Sequence, residues 1–404
     1  MTSAPNVRFM DRTTPPHVMT LVILAGVSAL AMNIFLPSLP GMARHFGVDY
    51  SVMQLAVPLY LAGSAVLQLL ISPISDRYGR RVVILAALIA FVLATVGAML
   101  APTAIWFLGF RIAQAVVATG MALSRAVIRD MVPANEAASM IGYVTMGMSI
   151  VPMVGPALGG ALDEIFGWHA SFILLIVAGL ATTALVWADL GETAQKSGRS
   201  LGQQMREYPE LLTSPRFWGY CLAATFASGS FFAYLGGAPF LGEEVFHLSP
   251  AVVGYYFAAP ALGYGVGNFI AGRYSARIGI DRMILAGTVI ATLFLVLGAL
   301  AARLLPAHPM LFFPFAGLMA LGNGLTLPNA NAGMLSVRPH LAGSASGLGG
   351  AMLIGGGAAV AAATGLVLTA QNGRYALLEI MSLWSLLSIA AIIMVIRRNR
   401  RMNG

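Results

Sequence analysis

The chain has 404 residues, 58% of them hydrophobic and only 9% charged, with a mean hydropathy of +0.82. A water-soluble domain carries roughly 25% charged residues, so this composition excludes a soluble globular protein and makes lipid the solvent. The net charge of +8 does not indicate nucleic acid, because the arginines stand in short clusters between apolar runs rather than on one basic face.

Apolar runs of about 20 residues or more, enough to cross a ~30 Å hydrocarbon core as helices, fall near 18–40, 51–73, 82–101, 104–126, 138–162 and 168–190. A polar stretch at 191–215 follows, and further runs lie near 216–240, 250–272, 283–304, 309–333, 342–370 and 375–396. None shows the alternating pattern of an outer-membrane barrel. The first run exceeds the 7–15 apolar residues of a signal peptide and reads as a retained helix. These features predict an all-α polytopic membrane protein with a six-helix bundle over 1–190, a central loop over 191–215 and a second bundle over 216–404. The single cysteine, Cys221, lies in an apolar run and has no intrachain partner.

Charge placement orients the chain. Of the 23 basic residues, all but Arg44, Arg303, Arg374 and the intrahelical Arg111 fall on one side of the expected topology. Positive charge collects on the cytoplasmic side, so both termini are expected there, in a multi-pass inner-membrane protein. An internal repeat supports the division into halves. Ser75, Arg77 and Gly79 recur 200 positions later as Ser275, Arg277 and Gly279, and Gly147 and Gly155 recur as Gly347 and Gly355. Two parallel halves related by an axis along the membrane normal would place a substrate site between them, near the bilayer midplane.

Four stretches carry chemistry. Ser72-Pro73-Ile74-Ser75-Asp76-Arg77-Tyr78-Gly79-Arg80-Arg81 makes a tight turn with an acid and several bases, and Asp130, ending the fourth run, is an acid for one of those arginines to meet. The bland alternative is a solvated topogenic charge run. Gly147-x7-Gly155-Pro156-x2-Gly159-Gly160 allows close helix approach and bending, with ordinary small-residue packing as its alternative. Arg111, in Arg111-Ile112-Ala113-Gln114, lies about two turns into the fourth run; a charge in lipid is costly, so it must face the interior. Asn33, in Ala31-Met32-Asn33-Ile34-Phe35-Leu36-Pro37, is a polar residue near the end of the first run.

These motifs resemble those of the major facilitator superfamily, the first in spite of Ser72 at its opening glycine. The glycine–proline motif resembles that of the twelve-helix drug–proton antiporter group, and Arg111 its helix-4 arginine, although Ala115 replaces that motif's glycine. The first run, Phe231–Phe240 and Leu327-Pro328-Asn329-Ala330-Asn331 resemble the bicyclomycin/chloramphenicol-resistance subfamily, so the likeness spans essentially the whole chain. The resemblance implies a conformational latch from Asp76, Arg77, Gly79, Arg80 and Asp130, and an antiporter motif from Gly147, Gly155, Pro156, Gly159 and Gly160. It implies a cavity that includes Asn33, Tyr60, Arg111, Gln114, Tyr143, Tyr234, Tyr264, Asn268, Asn323, Asn329 and Asn331. It further implies efflux of small amphipathic drugs such as phenicols by a monomer embedded in membrane lipid, with protons as the counter-substrate, the proton gradient as energy source and no cofactor. There is one important departure: the subfamily carries aspartate where this chain has Asn33, and asparagine copies the shape of protonated aspartate without titrating. Proton coupling is therefore in question for this chain. Two other readings stand: export of organic anions held by Arg111, and a membrane sensor that no longer transports. No Gly-x4-Gly-Lys loop precedes Lys196, the only lysine, and no metal or nucleophile motif occurs, so an enzyme is not expected.

Overall fold

The computed structural model describes residues 7–132, 140, 144, 151, 154–194, 209–338 and 341–403. Helix α1 (Val18–Phe46) is apolar all round, as a helix buried among others in lipid must be. Pro37 tightens it into a 3₁₀ turn at Leu36–Ser38, and Gly47, at φ 64°, ends it. Helices α2 (Ala56–Tyr78) and α3 (Arg80–Met99) meet at Gly79. Helix α4 (Ala104–Met131) follows, then the described part of α5 (154–166) and α6 (His169–Asp189). The second half comprises α7 (Pro215–Phe240), α8 (Ala258–Ile278), α9 (Ile280–Leu304), α10 (Phe313–Val337), α11 (Ala342–Val367) and α12 (Gly373–Asn403).

Ten helices among the described residues are long and apolar enough to cross a membrane. The other two expected spans are α5, which lies partly outside the described residues, and α8. Helix α8 matches the others in length, but Tyr264, Asn268, Arg273, Tyr274 and Arg277 dilute its apolar character. Its expected span, 250–272, is split between a short helix at Pro250–Tyr256 and α8 proper. Most of the polar stretch 191–215 lies outside the described residues.

In the first half, α1 packs on α4 and α6, α3 on α4 and α6, and α2 on α4; in the second, α10 packs on α8 and α9, and α7 on α11 and α12. Helix α2 lies against α11 between the halves. Lipid offers no hydrophobic drive for these contacts, so close packing and polar bonds must hold them. Glycines permit the approach: a side chain on Gly263 or Gly267 of α8 would strike the α10 backbone at Gly317 or Leu321. Leu93 of α3, Leu293 of α9 and Leu366 of α11 are exposed, as side chains facing acyl chains are. The repeat is visible in the backbone. Gly79 (φ 96°, ψ 142°) and Gly279 (φ 93°, ψ 147°) adopt nearly the same left-handed turn, which side chains rarely tolerate.

At the arginine-rich end, buried Asp189 closes α6 onto the N-terminal segment. It accepts from Met10 N (2.7 Å), His17 N (2.9 Å) and Thr20 Oγ1 (2.6 Å). At the opposite end the two halves are tied together. Tyr50 Oη donates to Gly236 O (2.8 Å), Gln54 Nε2 to Ala361 O (3.0 Å) and Ser249 Oγ to Glu164 Oε2 (2.9 Å), while Arg44 pairs with Glu243. The Arg44 side chain is 61% exposed, and an exposed ion pair contributes about 1 kcal/mol at most. The buried Gln54 bond and the helix packing beside it therefore carry more of the closure.

Candidate functional site: a buried arginine centre and a small-residue seam

Arg111 has no exposed surface. Its Nη1 donates to Gln114 Oε1 (2.6 Å) and to Ala31 O of α1 (3.3 Å). The guanidinium lies 4.2 Å from the Phe35 ring centroid and 4.7 Å from that of Tyr60. Removing a guanidinium from water costs several kcal/mol. Two desolvated cation–π contacts of up to about 2 kcal/mol each, with charge-assisted hydrogen bonds of roughly 1.5–3 kcal/mol each, are of the size to offset that without an acid. Two secondary bonds fix the Tyr60 ring and the Gln114 amide. Gln114 Nε2 donates to Thr95 Oγ1 (2.8 Å), and Tyr60 Oη to Ser28 O (3.2 Å). A 3₁₀ turn at Ala115–Val117 overwinds α4 immediately after Gln114, and Ser28 Oγ bonds Val117 O there (2.6 Å).

Asn33, on the same helix as the Ala31 carbonyl, is 1% exposed. Its Nδ2 donates one turn back to Ala29 O (2.8 Å). Its Oδ1 has no partner among the described residues, and neither do Nε and Nη2 of Arg111. A buried acceptor and two buried donors thus stand unpaired on neighbouring helices. Each such group costs about 1–3 kcal/mol, a price a fold tolerates chiefly where function uses the group.

The glycine–proline motif of α5 has two faces. A Cβ on Gly155 would come within 3.3 Å of Leu30 and 3.9 Å of Asn33 Cβ, and one on Gly159 would strike Ile34 O, so this face lies on α1 beside Asn33. The other face meets the second half. A Cβ on Gly160 would strike Pro250 O, and one on Gly254 would strike Pro156 O. The α5 seam therefore lies at the closed end, where Ser249 bonds Glu164.

The expected latch assembles around Arg80. Its Nη2 meets Asp76 Oδ1 (2.5 Å), its Nε meets Asp130 Oδ2 (3.1 Å), and its Nη1 bonds Ser75 Oγ. One guanidinium thereby ties α2, α3 and α4. Arg77 does not join this cluster; it is exposed and lies over the Tyr78 ring. Glu192 caps α3 by accepting from Arg80 N (2.8 Å) and Arg81 N (3.3 Å), its carboxylate occupying the space that a Cβ on Gly79 would take.

The remaining expected residues scatter. Tyr234 is fully buried, stacked on Phe312 and tilted against Phe257, with its hydroxyl unpartnered among the described residues. Asn323 donates to Ala227 O (3.0 Å) and Asn329 to Leu325 O (2.8 Å), both buried, while Asn331 is exposed. Tyr264 and Asn268 are half-buried on α8. Tyr143 and Gly147 lie outside the described residues.

The model of the Major Facilitator Superfamily matches residues 21–362 and 236–403. The chain belongs to that superfamily. It is 30% identical over 342 residues to an uncharacterized MFS-type transporter, YdgK, of Bacillus subtilis (strain 168), covering 81% of this chain and 83% of the relative. It is 28% identical over 378 residues to multidrug resistance protein D of Escherichia coli (strain K12), covering 91% and 93%. A chloramphenicol resistance protein of Pseudomonas aeruginosa is 35% identical over 215 residues, about half of each chain. Among solved structures, the peptide transporter POT in complex with alafosfalin superposes with a TM-score of 0.75 at 12% identity over 94% of both chains. A bacterial homolog of the lysosomal transporter Spinster, inward-facing and occupied, gives 0.69 at 18%, covering 95% of this chain and 96% of its own. At these identities the structures speak for the fold alone.

For this major facilitator, the sequence reading missed the residues that orient others. Thr95 and Ser28 gave no sequence signal, since a hydroxyl in an apolar run is common. Glu192 could have been found: it is an acid just past the sixth span, within reach of the basic turn. Loss of the charge in Asp130→Asn weakens only one of Arg80's contacts, so the variant should lose about 1 kcal/mol of stability. A lowered melting temperature in detergent, absent from an Arg77→Gln control, checks this.

Proposed function

We propose that this protein exports small amphipathic drugs by alternating access, with its arginine-rich end in the cytoplasm of a bacterial inner membrane and the described state open toward that side. One observation carries the reading. The side-chain links between halves that join described residues, at Tyr50, Gln54, Ser249 and Arg44, all lie at the end remote from the arginines. That is the pattern of a transporter sealed outside and accessible from within. The relatives named for chloramphenicol and multidrug resistance support drugs as the cargo, phenicols among them. Transport rather than catalysis accords with the superfamily. Among the described residues no carboxylate pairs with Arg111, whose hydrogen bonds go to Gln114 and the Ala31 carbonyl, so this centre does not itself exchange a proton for drug.

Uptake of chloramphenicol and of a fluorescent drug into proteoliposomes, with and without an imposed pH gradient, tests this. We expect saturable flux that the gradient does not concentrate. Gradient-driven accumulation would overturn the uncoupled centre, and absence of saturable flux would overturn transport itself.

A further inference from the structure

We infer that the arginine-rich end of the α3–α6 surface binds the headgroup of an anionic phospholipid, with Arg12 and Arg81 gripping its phosphate beside Trp187. The site stands apart from the cargo and does not depend on it. On α6, Ile173, Val177, Leu180 and Trp187 are exposed at helical spacing and so share one face. On α3, Val82, Ile89 and Leu93 are exposed in the same way. Helix α1 packs on α6 and α4 on α3, so both stripes face away from the bundle, toward acyl chains. The two helices touch closely between the stripes, since a Cβ on Gly179 would press on Val92 and Phe91. Trp187, 59% exposed, and Val82 end the stripes at the arginine-rich end.

Charge begins where the apolar stripes stop. Arg81, next to Val82, donates from Nη2 to Trp187 O (2.8 Å), and the Arg12 guanidinium lies 5.7 Å from the Trp187 ring centroid. Arg12 is exposed, yet its backbone is held in place. Asp189 accepts from Met10 N before it and His17 N after it, and Arg12 O takes the space of a Cβ on Gly191. Neither guanidinium pairs with a carboxylate among the described residues. The nearby acids are engaged elsewhere: Glu192 accepts from the Arg80 and Arg81 amides, and Asp11 from Thr13. An indole at headgroup depth with arginine just beyond it is the order of a membrane interface, and the arginine fork matches phosphate oxygens. Phosphatidylglycerol offers that phosphate without a cation. Phosphatidylcholine sets a trimethylammonium beside it, which unpaired arginines repel. A bound anionic headgroup therefore joins the N-terminal segment to α3 and α6.

Native mass spectrometry of the full-length protein from dodecylmaltoside, titrated with dioleoylphosphatidylglycerol or dioleoylphosphatidylcholine, provides the test. The unaltered protein should retain phosphatidylglycerol in preference. Arg12→Gln and Arg81→Gln should each weaken that binding about five-fold, and the double variant roughly thirty-fold, with phosphatidylcholine retention unchanged. Arg81→Lys keeps the charge and should keep most of the affinity. Arg277→Gln, exposed at the same end of the second half, serves as the control and should change nothing. An equal loss in that control would mean diffuse attraction to the basic end and would overturn the site. A parallel loss of phosphatidylcholine would mark a disrupted surface and do the same. Equal retention of both lipids by the unaltered protein would overturn the inference outright. Displacement of phosphatidylglycerol by millimolar inorganic phosphate would assign the arginines to a soluble anion and remove the lipid.

Discussion

Replacing Gly160 with alanine will open the end of the protein remote from the arginines without unfolding it. The added Cβ would strike Pro250 O and press on Ala251 Cα at 3.0 Å, and both belong to the backbone leading into α8, which cannot swing aside as a side chain can. Overpacking of this kind costs about 1–3 kcal/mol. The penalty applies only while α5 and the Pro250–Tyr256 helix are in contact, so on the alternating-access reading it falls only on the state closed at that end. A cost of that size on one of two states shifts their ratio roughly 5–150-fold. Spin labels at Asp49→Cys and His247→Cys, both exposed at that end, in a Cys221→Ser background, should report a longer distance in Gly160→Ala.

The neighbouring glycines make the result specific. Gly159→Ala would strike Ile34 O of α1, a contact within one half and present in both states, so it should lower the melting temperature instead of moving the labels. Gly155→Ala crowds only the flexible Leu30 side chain, at 3.3 Å, with Asn33 Cβ and Ile34 N at an ordinary 3.9 Å, and should do little of either. If Gly160→Ala left the label distance unchanged, the small-residue seam would be ordinary packing and not a gate.

The second large effect is expected at Asn33. Its Nδ2 now donates to Ala29 O, and its Oδ1 lies unpaired while two Arg111 donors are also unpaired. In Asn33→Asp, the protonated acid can still donate to Ala29 O. The ionised acid cannot donate and is instead attracted to the Arg111 guanidinium on α4. The two protonation states would therefore favour different α1–α4 arrangements, which is what coupling a proton to a conformational change requires. We expect an imposed pH gradient to concentrate drug several-fold in proteoliposomes of this variant and not in those of the unaltered protein. Identical pH responses in the two would remove residue 33 from any coupling role.

How much of this was legible beforehand follows from the kind of physics involved. Lipid as solvent, the helical class, the spans and the arginine-rich side depend on local composition and chain order, and these survive in a linear sequence. So did the turn at Gly79 with its copy at Gly279, because a left-handed backbone demands glycine wherever it occurs. Arg111 as a buried residue was equally legible, since a charge in an apolar run has nowhere else to go.

Partnership was a different matter. That Arg80, not Arg77, reaches Asp130 depends on which side chain the α2–α3 turn directs inward. That Arg111 is held by Phe35 and Tyr60 rings instead of an acid depends on three helices meeting. Glycine spacing announced close approach in α5 but not that one face meets α1 and the other the opposite half. Asn323 and Tyr234 looked like cavity residues because polar side chains in apolar runs suggest ligands; the fold occupies the first with a backbone carbonyl and the second with stacked rings. Residue type and span are properties of the chain, whereas a partner across 307 residues of sequence, as between Gln54 and Ala361, exists only once helices pack, and that packing alone decided which polar groups are enclosed and what they meet.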